Sequence, residues 1–231
     1  MNTNFSSEII VPLEDTTLKE FLKLQQRYPV IAVTGPAGVG KSTITKELAS
    51  YLGAAIFTEI PESNPFLKVI KETAGKVNDI TLWANNQNYF LATDAAEITK
   101  AFIQSKNTPI VLDFALTQPF IFADIKLSGN ILKTFNDMYH LQFSTLPKPD
   151  IVIEVGADDE KILKRLELRG THIDPFVQKM VEQLNGYYKG GIVSENYESE
   201  GTKVIYFDNG IQFPNMGDLK EKVIQTLGKL I

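Results

Sequence analysis

Cysteine is absent from the 231 residues and histidine occurs twice, at His140 and His172. The first absence removes disulfide frameworks, thiolate metal sites and cysteine nucleophiles, and it fits a reducing compartment, so a cytoplasmic protein is expected. The two histidines lie far apart and in no ligand spacing, which argues against a zinc site. No stretch approaches the ~18 apolar residues of a membrane span, and the first twenty or so residues lack a basic segment followed by a long apolar run, so neither a membrane partner nor a secretory signal is expected. An excess of positive charge is also missing: 23 Lys and Arg stand against 28 Asp and Glu, a net charge of -5. A protein reading nucleic-acid phosphates usually carries the opposite balance, so no nucleic-acid partner is expected.

What is present has globular proportions, with 43% hydrophobic and 22% charged residues. No repeat, linker or long charge run divides the chain, and one domain over residues 1–231 is expected, with residues 1–28 as an N-terminal helical extension. Five short runs rich in Val, Ile and Phe read as buried strands: 30–34, 55–58, 109–113, 151–155 and 204–207. Longer amphipathic patterns between them predict helices over 16–27, 41–52, 81–104, 158–168, 174–189 and 216–230, with a break between two helices at Gly129 and Asn130. Strands alternating with helices indicate an α/β protein with a parallel sheet covered on both faces.

The first strand runs into Gly35-Pro36-Ala37-Gly38-Val39-Gly40-Lys41-Ser42, which fits G-x-x-x-x-G-K-[ST] in the strand-to-helix context that the motif requires. Its glycines let successive backbone N–H groups face phosphate oxygens, and the following helix N-terminus adds partial positive charge. Lys41 then reaches the β- and γ-phosphates, Ser42 offers a hydroxyl to Mg²⁺, and Thr43 packs or caps in the first turn. Asp113, at the end of the third strand, is placed either to complete the metal site or to cap a helix. No N-K-x-D guanine-reading element and no ABC-type signature follows, and the size and single domain favour a small Mg²⁺-dependent kinase, with ATP or GTP as donor left open.

Further pieces accompany this loop in order: Glu59 in TEIPESNPFL, a W-A-x-x-x-Q-x-Y-F-L run from Trp83 to Leu91, Asp113, Ile121 to Ala123, then PDIVIEV and KRLELRG at 164–170. Together they resemble the deoxynucleoside kinase family, P-loop enzymes that phosphorylate the 5′-hydroxyl of deoxynucleosides. The resemblance implies that Glu59 is the general base, that Gln87 hydrogen-bonds the acceptor's base, that Phe122 stacks on it, and that Arg165 and Arg169 belong to a lid at about 164–175 that closes over the phosphates. Asp174 falls where the family lid carries an acid contacting the sugar 3′-hydroxyl. Each has a plainer alternative: a solvated loop carboxylate for Glu59, a helix surface for Gln87, core packing for Phe122, and ion pairs with Glu160 or Glu167 for the arginines. The implied fold is a doubly wound five-stranded parallel sheet in the order 2-3-1-4-5, with the site at the strands' C-terminal edge, and the implied assembly is a homodimer through two helices.

The pattern breaks on the acceptor side. Phe114 replaces the arginine that follows the family's Asp, Asp94 replaces an arginine beyond the base-reading glutamine, Gln118 or Pro119 stands where a base-reading acid is expected, and Thr171 replaces a third lid arginine. The donor side is intact. Three readings follow: an ATP-dependent phosphotransferase with a nucleoside-like or other small hydroxyl acceptor; a nucleotide-binding regulatory protein whose N-terminal helix docks a partner; and a nucleoside monophosphate kinase or ATPase.

Overall fold

The computed structural model describes residues 16–73, 79–210 and 215–231. The first fifteen residues of the expected N-terminal extension lie outside them. Five strands, β1 (Val30–Thr34), β2 (Ala55–Phe57), β3 (Ile110–Leu112), β4 (Ile151–Gly156) and β5 (Lys203–Asp208), form one sheet in the order β2-β3-β1-β4-β5. All its pairings are parallel, with Val30 opposite Ile110 and Ile31 opposite Ile151. Every residue of β1, β3 and β4 is buried, as continuous apolar runs require when helices cover both faces of a sheet.

Among the described residues, ten α-helices surround the sheet: α1 (Thr16–Gln25), α2 (Lys41–Leu52), α3 (Pro65–Glu72), α4 (Ile80–Gln104), α5 (Thr117–Lys126), α6 (Gly129–Thr145), α7 (Asp159–Leu168), α8 (Pro175–Lys189), α9 (Ile192–Glu198) and α10 (Met216–Gly228). Ile31, Val33, Ile151 and Ile153 point to the face packed by α1, α2 and α10, while Val30, Ala32, Leu112 and Val152 meet α4, α5, α6 and α9. The strand order and the helical stretches expected from the sequence are present. The break between α5 and α6 falls at Leu127 and Ser128 instead of at Gly129 and Asn130; Gly129, at φ 58°, is the first residue of α6. Two helices were not anticipated. One is α3, although Asn64 before Pro65 is a readable start signal: the Asn64 side chain accepts from the Phe66 and Leu67 amides. The other is the short α9.

The N-terminal helix is not a free docking element. Leu18 and Phe21 are buried in the chain's own core. Just beyond the helix, Arg27 donates from both terminal nitrogens to Asp150 at 2.7 and 2.8 Å, with its guanidinium over the rings of Phe21 and Phe102. Asp150 also accepts from the Val30 amide at 2.8 Å, so one carboxylate ties the helix to the starts of β1 and β4. The expectation that this helix serves an outside partner loses most of its basis: Leu18 and Phe21 are covered by the chain itself, and Leu24 is the exposed apolar residue of the helix. Phe21→Ala is expected to lower the unfolding free energy by about 3 to 5 kcal/mol in urea titrations; a loss under about 1 kcal/mol would mean that the helix is peripheral to the core.

Candidate active site

The loop between β1 and α2 is held at several points. Gly35 sits at φ 147°, and a Cβ there would lie 2.4 Å from the Val155 carbonyl oxygen. Gly40, at φ 107°, opens α2 in a left-handed conformation, with the Asn209 amide nitrogen 2.4 Å from where a Cβ would be. Between them, the Val39 carbonyl accepts from Arg165 Nη1 at 3.0 Å and from Asn209 Nδ2 at 2.7 Å, while Arg165 Nη2 donates to the Asn209 carbonyl at 2.7 Å. Arg165 thus joins α7, the loop and the turn after β5, and neither of its expected alternatives, an ion pair with Glu160 or Glu167, is formed. Lys41 donates to the Gly35 and Pro36 carbonyls at 2.9 and 3.3 Å. Burial lowers its pKa, the carboxylates of Glu59 and Asp113 pull it back up, and Arg169 pushes it down.

Asp113 follows β3 directly. Its Oδ2 accepts from Ser42 Oγ at 2.7 Å and its Oδ1 from Thr45 Oγ1 at 3.2 Å, while its amide donates to the Phe57 carbonyl at 2.8 Å. It does not cap α5, whose N-cap is Leu116. Thr43 is exposed, with its amide on the Gly40 carbonyl. Thr45 went unnoticed in the sequence because a threonine one turn into a helix has no local signature; only the strand that delivers Asp113 gives it a partner.

One cavity of about 520 Å³ is lined by Glu59, the predicted base, together with the predicted acceptor residues Gln87, Phe122 and Asp174. Gln87, on α4, is 2% exposed and so is not a helix-surface residue. Its neighbour Asn86 accepts from Asn64 Nδ2 at 3.0 Å, which fixes α4 against the cap of α3. Phe122 both lines the cavity and packs on the core. Asp174 is the N-cap of α8, accepting from the Val177 amide at 2.9 Å, and closes the loop that carries Thr171 and His172 into the cavity wall. Trp83 and Phe176, also in the wall, hold the Lys126 ammonium between their rings at 4.8 and 4.5 Å, joining α4, α5 and α8. Arg169 ends α7 at the edge of a second cavity of about 360 Å³, shared with Gly40, Thr43, Arg165 and Asn209.

Glu59 is no solvated loop carboxylate. One of its oxygens is buried without a partner among the described residues, and burial raises its pKa to about 7 despite the pull of Lys41. Phe114 is fully buried in the core, so the place of the family arginine is apolar. Asp94 is 2% exposed on α4. Behind the loop, the Tyr188 hydroxyl pairs with Thr34 Oγ1 at 3.2 Å, a long-range contact that no local pattern announces.

Glu154, on β4, is 6% exposed and burial pushes its carboxyl up to about 7. With both glutamates raised from 4.5, the folded chain holds protons that the unfolded chain releases, so their contribution to stability is lost as pH rises through about 7. Glu154→Gln is expected to melt with the parent near about pH 4 and above it near about pH 8; a lower melting temperature at the higher pH would contradict the buried, strained carboxylate.

Residues 31–231 match the family model described as Deoxynucleoside kinase. A deoxyguanosine kinase of Bacillus subtilis is 31% identical over 171 residues, covering 71% of this chain and 78% of the relative, and a deoxyadenosine kinase of Lactobacillus acidophilus is 28% identical over 216 residues, covering 87% and 96%. In fold, a deoxyadenosine kinase from M. mycoides solved with dCMP and a flexible dCDP superposes with a TM-score of 0.68 at 22% identity, covering 87% of this chain and 99% of that one. The five-stranded parallel sheet ordered β2-β3-β1-β4-β5 thus has the fold of that deoxyadenosine kinase, and this chain belongs to the deoxynucleoside kinase family.

Proposed function

We propose that the protein transfers the γ-phosphoryl group of ATP to the 5′-hydroxyl of a deoxynucleoside bound in the cavity beside the loop. The observation that carries this reading is the meeting of Glu59, Lys41 and Asp113: Glu59 lines the acceptor cavity and lies within electrostatic reach of both phosphate-side groups. The relatives named for deoxyguanosine and deoxyadenosine make these the first acceptors to try.

In this reading the donor phosphates lie on the loop from Gly35 to Gly40, over the α2 N-terminus, with Lys41 leaving its two carbonyls for phosphate oxygens. The Ser42 hydroxyl and the Asp113 carboxylate, already 2.7 Å apart, are a hard oxygen pair of the kind Mg²⁺ takes alongside phosphates and water. Bound with ATP, the ion would neutralise charge on the phosphates. Thr45 keeps Asp113 aimed. Arg165, pinned to Val39 and Asn209, presents a positive edge to the donor, while Arg169, at the end of α7, adds a second guanidinium at the rim of the smaller cavity.

On the acceptor side, Gln87 offers a donor and an acceptor to a base, Phe122 a face to stack on, and Asp174 an oxygen near the lid for the sugar. Glu59 takes the hydroxyl proton. A pKa near 7 keeps the carboxylate available at neutral pH while leaving it basic enough to draw the proton. The homodimer belongs to the same reading: Ile131, Met138 and Leu141 are exposed on α6 and offer an apolar face for a second copy.

The test is transfer of labelled γ-phosphate from Mg·ATP to deoxyguanosine, deoxyadenosine and deoxycytidine, with Lys41→Ala as the blank. Labelled monophosphate is expected. Glu59→Gln is expected to reduce kcat by about 10² to 10⁴ while leaving ATP affinity intact. Acceptor binding by that variant can be followed through the fluorescence of Trp83, the sole tryptophan, which stands in the cavity wall. No transfer by the parent to any nucleoside, with ATP bound tightly, would favour the regulatory reading.

A further inference from the structure

A lysine stands between two rings of the acceptor wall, and every helix that it joins also carries an acceptor-side group close by. Lys126 Nζ lies 4.8 Å from the centroid of the Trp83 ring and 4.5 Å from that of Phe176. Trp83 and Gln87 are one i,i+4 pair on α4, and Phe122 and Lys126 are another on α5, so the members of each pair share a helix face. On α8, Phe176 sits in the first turn, just beyond the N-cap Asp174, whose carboxylate accepts from the Val177 amide at 2.9 Å. Trp83, Phe176, Gln87, Phe122 and Asp174 all line the cavity of about 520 Å³. Lys126 is not part of that lining and reaches the cavity only through the two rings.

Nothing else in its surroundings favours a charge there. Lys126 is half-buried, and burial, then the like charge of Lys179, lower its pKa. No carboxylate pairs with it among the described residues. A lysine at the end of a helix can usually carry its ammonium out to water along its flexible stem. This one turns the charge to two ring faces, whose quadrupoles take the place of an anion. With a ring on each side, α4 and α8 meet through one charge, and neither ring can withdraw without losing the contact. A second tie joins α8 to α5, from the Tyr187 hydroxyl to the Asp124 carboxylate, so the packing of these helices does not depend on the lysine alone.

We propose that Lys126 is a positioning residue for the acceptor: its ammonium, clamped between Trp83 and Phe176, holds Gln87, Phe122 and Asp174 at one spacing before a nucleoside enters. The proposal rests on the reading of this cavity as the acceptor site. A wall ordered in advance reduces the ordering that the acceptor must supply when it binds. The lysine therefore acts on acceptor affinity and leaves the phosphate side, which has its own ties through Arg165 and Asn209, unaffected.

The test compares two variants of the full chain. Lys126→Met keeps the length and removes the charge, whereas Lys126→Arg keeps a cation that stacks on aromatic rings. Lys126→Met is expected to raise the KM for the best deoxynucleoside about tenfold, with kcat and the KM for Mg·ATP within about twofold of the parent. Lys126→Arg is expected to stay within about threefold of the parent in all of these. In a double-mutant cycle, Phe176→Leu is expected to raise the acceptor KM less in the Lys126→Met background than in the parent. An unchanged acceptor KM in Lys126→Met, an equal rise in both KM values, equal damage from Met and Arg, or full additivity with Phe176→Leu would overturn the proposal. A second measurement needs no turnover: acrylamide quenching of Trp83, the sole tryptophan, which is 7% exposed. Quenching is expected to be about twofold or more faster in Lys126→Met and parent-like in Lys126→Arg; equal quenching in all three proteins would overturn the clamp. If Lys126→Met fails to fold, Lys126→Gln replaces it with the same outcomes. If the parent transfers phosphate to no nucleoside, the reading of the cavity is what fails, and the quenching comparison still decides the clamp.

Discussion

The chemistry at the sheet's C-terminal edge depends on how firmly the loop from Gly35 to Gly40 is wedged between neighbours far away in sequence. Val155 at the end of β4 sets how close Gly35 must come, and Arg165 and Asn209 hold the Val39 carbonyl from the opposite side. A loop fixed in this way presents its amides without reorganising when charge develops, which is the usual source of electrostatic catalysis. The same wedging orients α2, so Ser42 and Thr45 arrive together at the Asp113 carboxylate. The donor half is thus one rigid unit assembled from β1, α2, β3, α7 and the turn after β5.

The acceptor half is assembled differently. Its wall comes from α3, α4, α5 and the start of α8, joined by the Asn64 to Asn86 hydrogen bond and by Lys126 between two aromatic rings. Mostly apolar walls with a few polar groups suit a nucleoside. Where other members carry guanidinium groups near the base, this chain places a fully buried phenylalanine and a buried aspartate. Burial outweighs the pull of Lys41, Asp113 adds to the rise, and the Glu59 carboxyl is pushed up to about 7 instead of lying in the ordinary carboxylate range.

Much of this was legible in the sequence because its signals are local. Continuous Val and Ile runs named the strands, and one glycine-rich turn in the right context named the phosphate loop. Asp113 and Glu59 could be placed because both follow strands, and the C-terminal ends of strands converge on one edge. What stayed hidden depends on distant partners. Arg165 read as a lid residue or a surface ion pair, yet it binds backbone carbonyls contributed by Val39 and Asn209. The first helix read as available to a partner because it packs on α10, which lies at the other end of the chain. Asp94 read only as a lost arginine; its burial on α4 is set by packing that no local pattern shows.

The measurement that tests the central claim most directly is the pH dependence of kcat/KM for the best deoxynucleoside, at saturating Mg·ATP. A base held near neutrality by burial predicts an acid limb at about 7, with activity falling tenfold per pH unit below it. Activity that stays level down to about pH 5 would place the base in the ordinary carboxylate range and contradict the account.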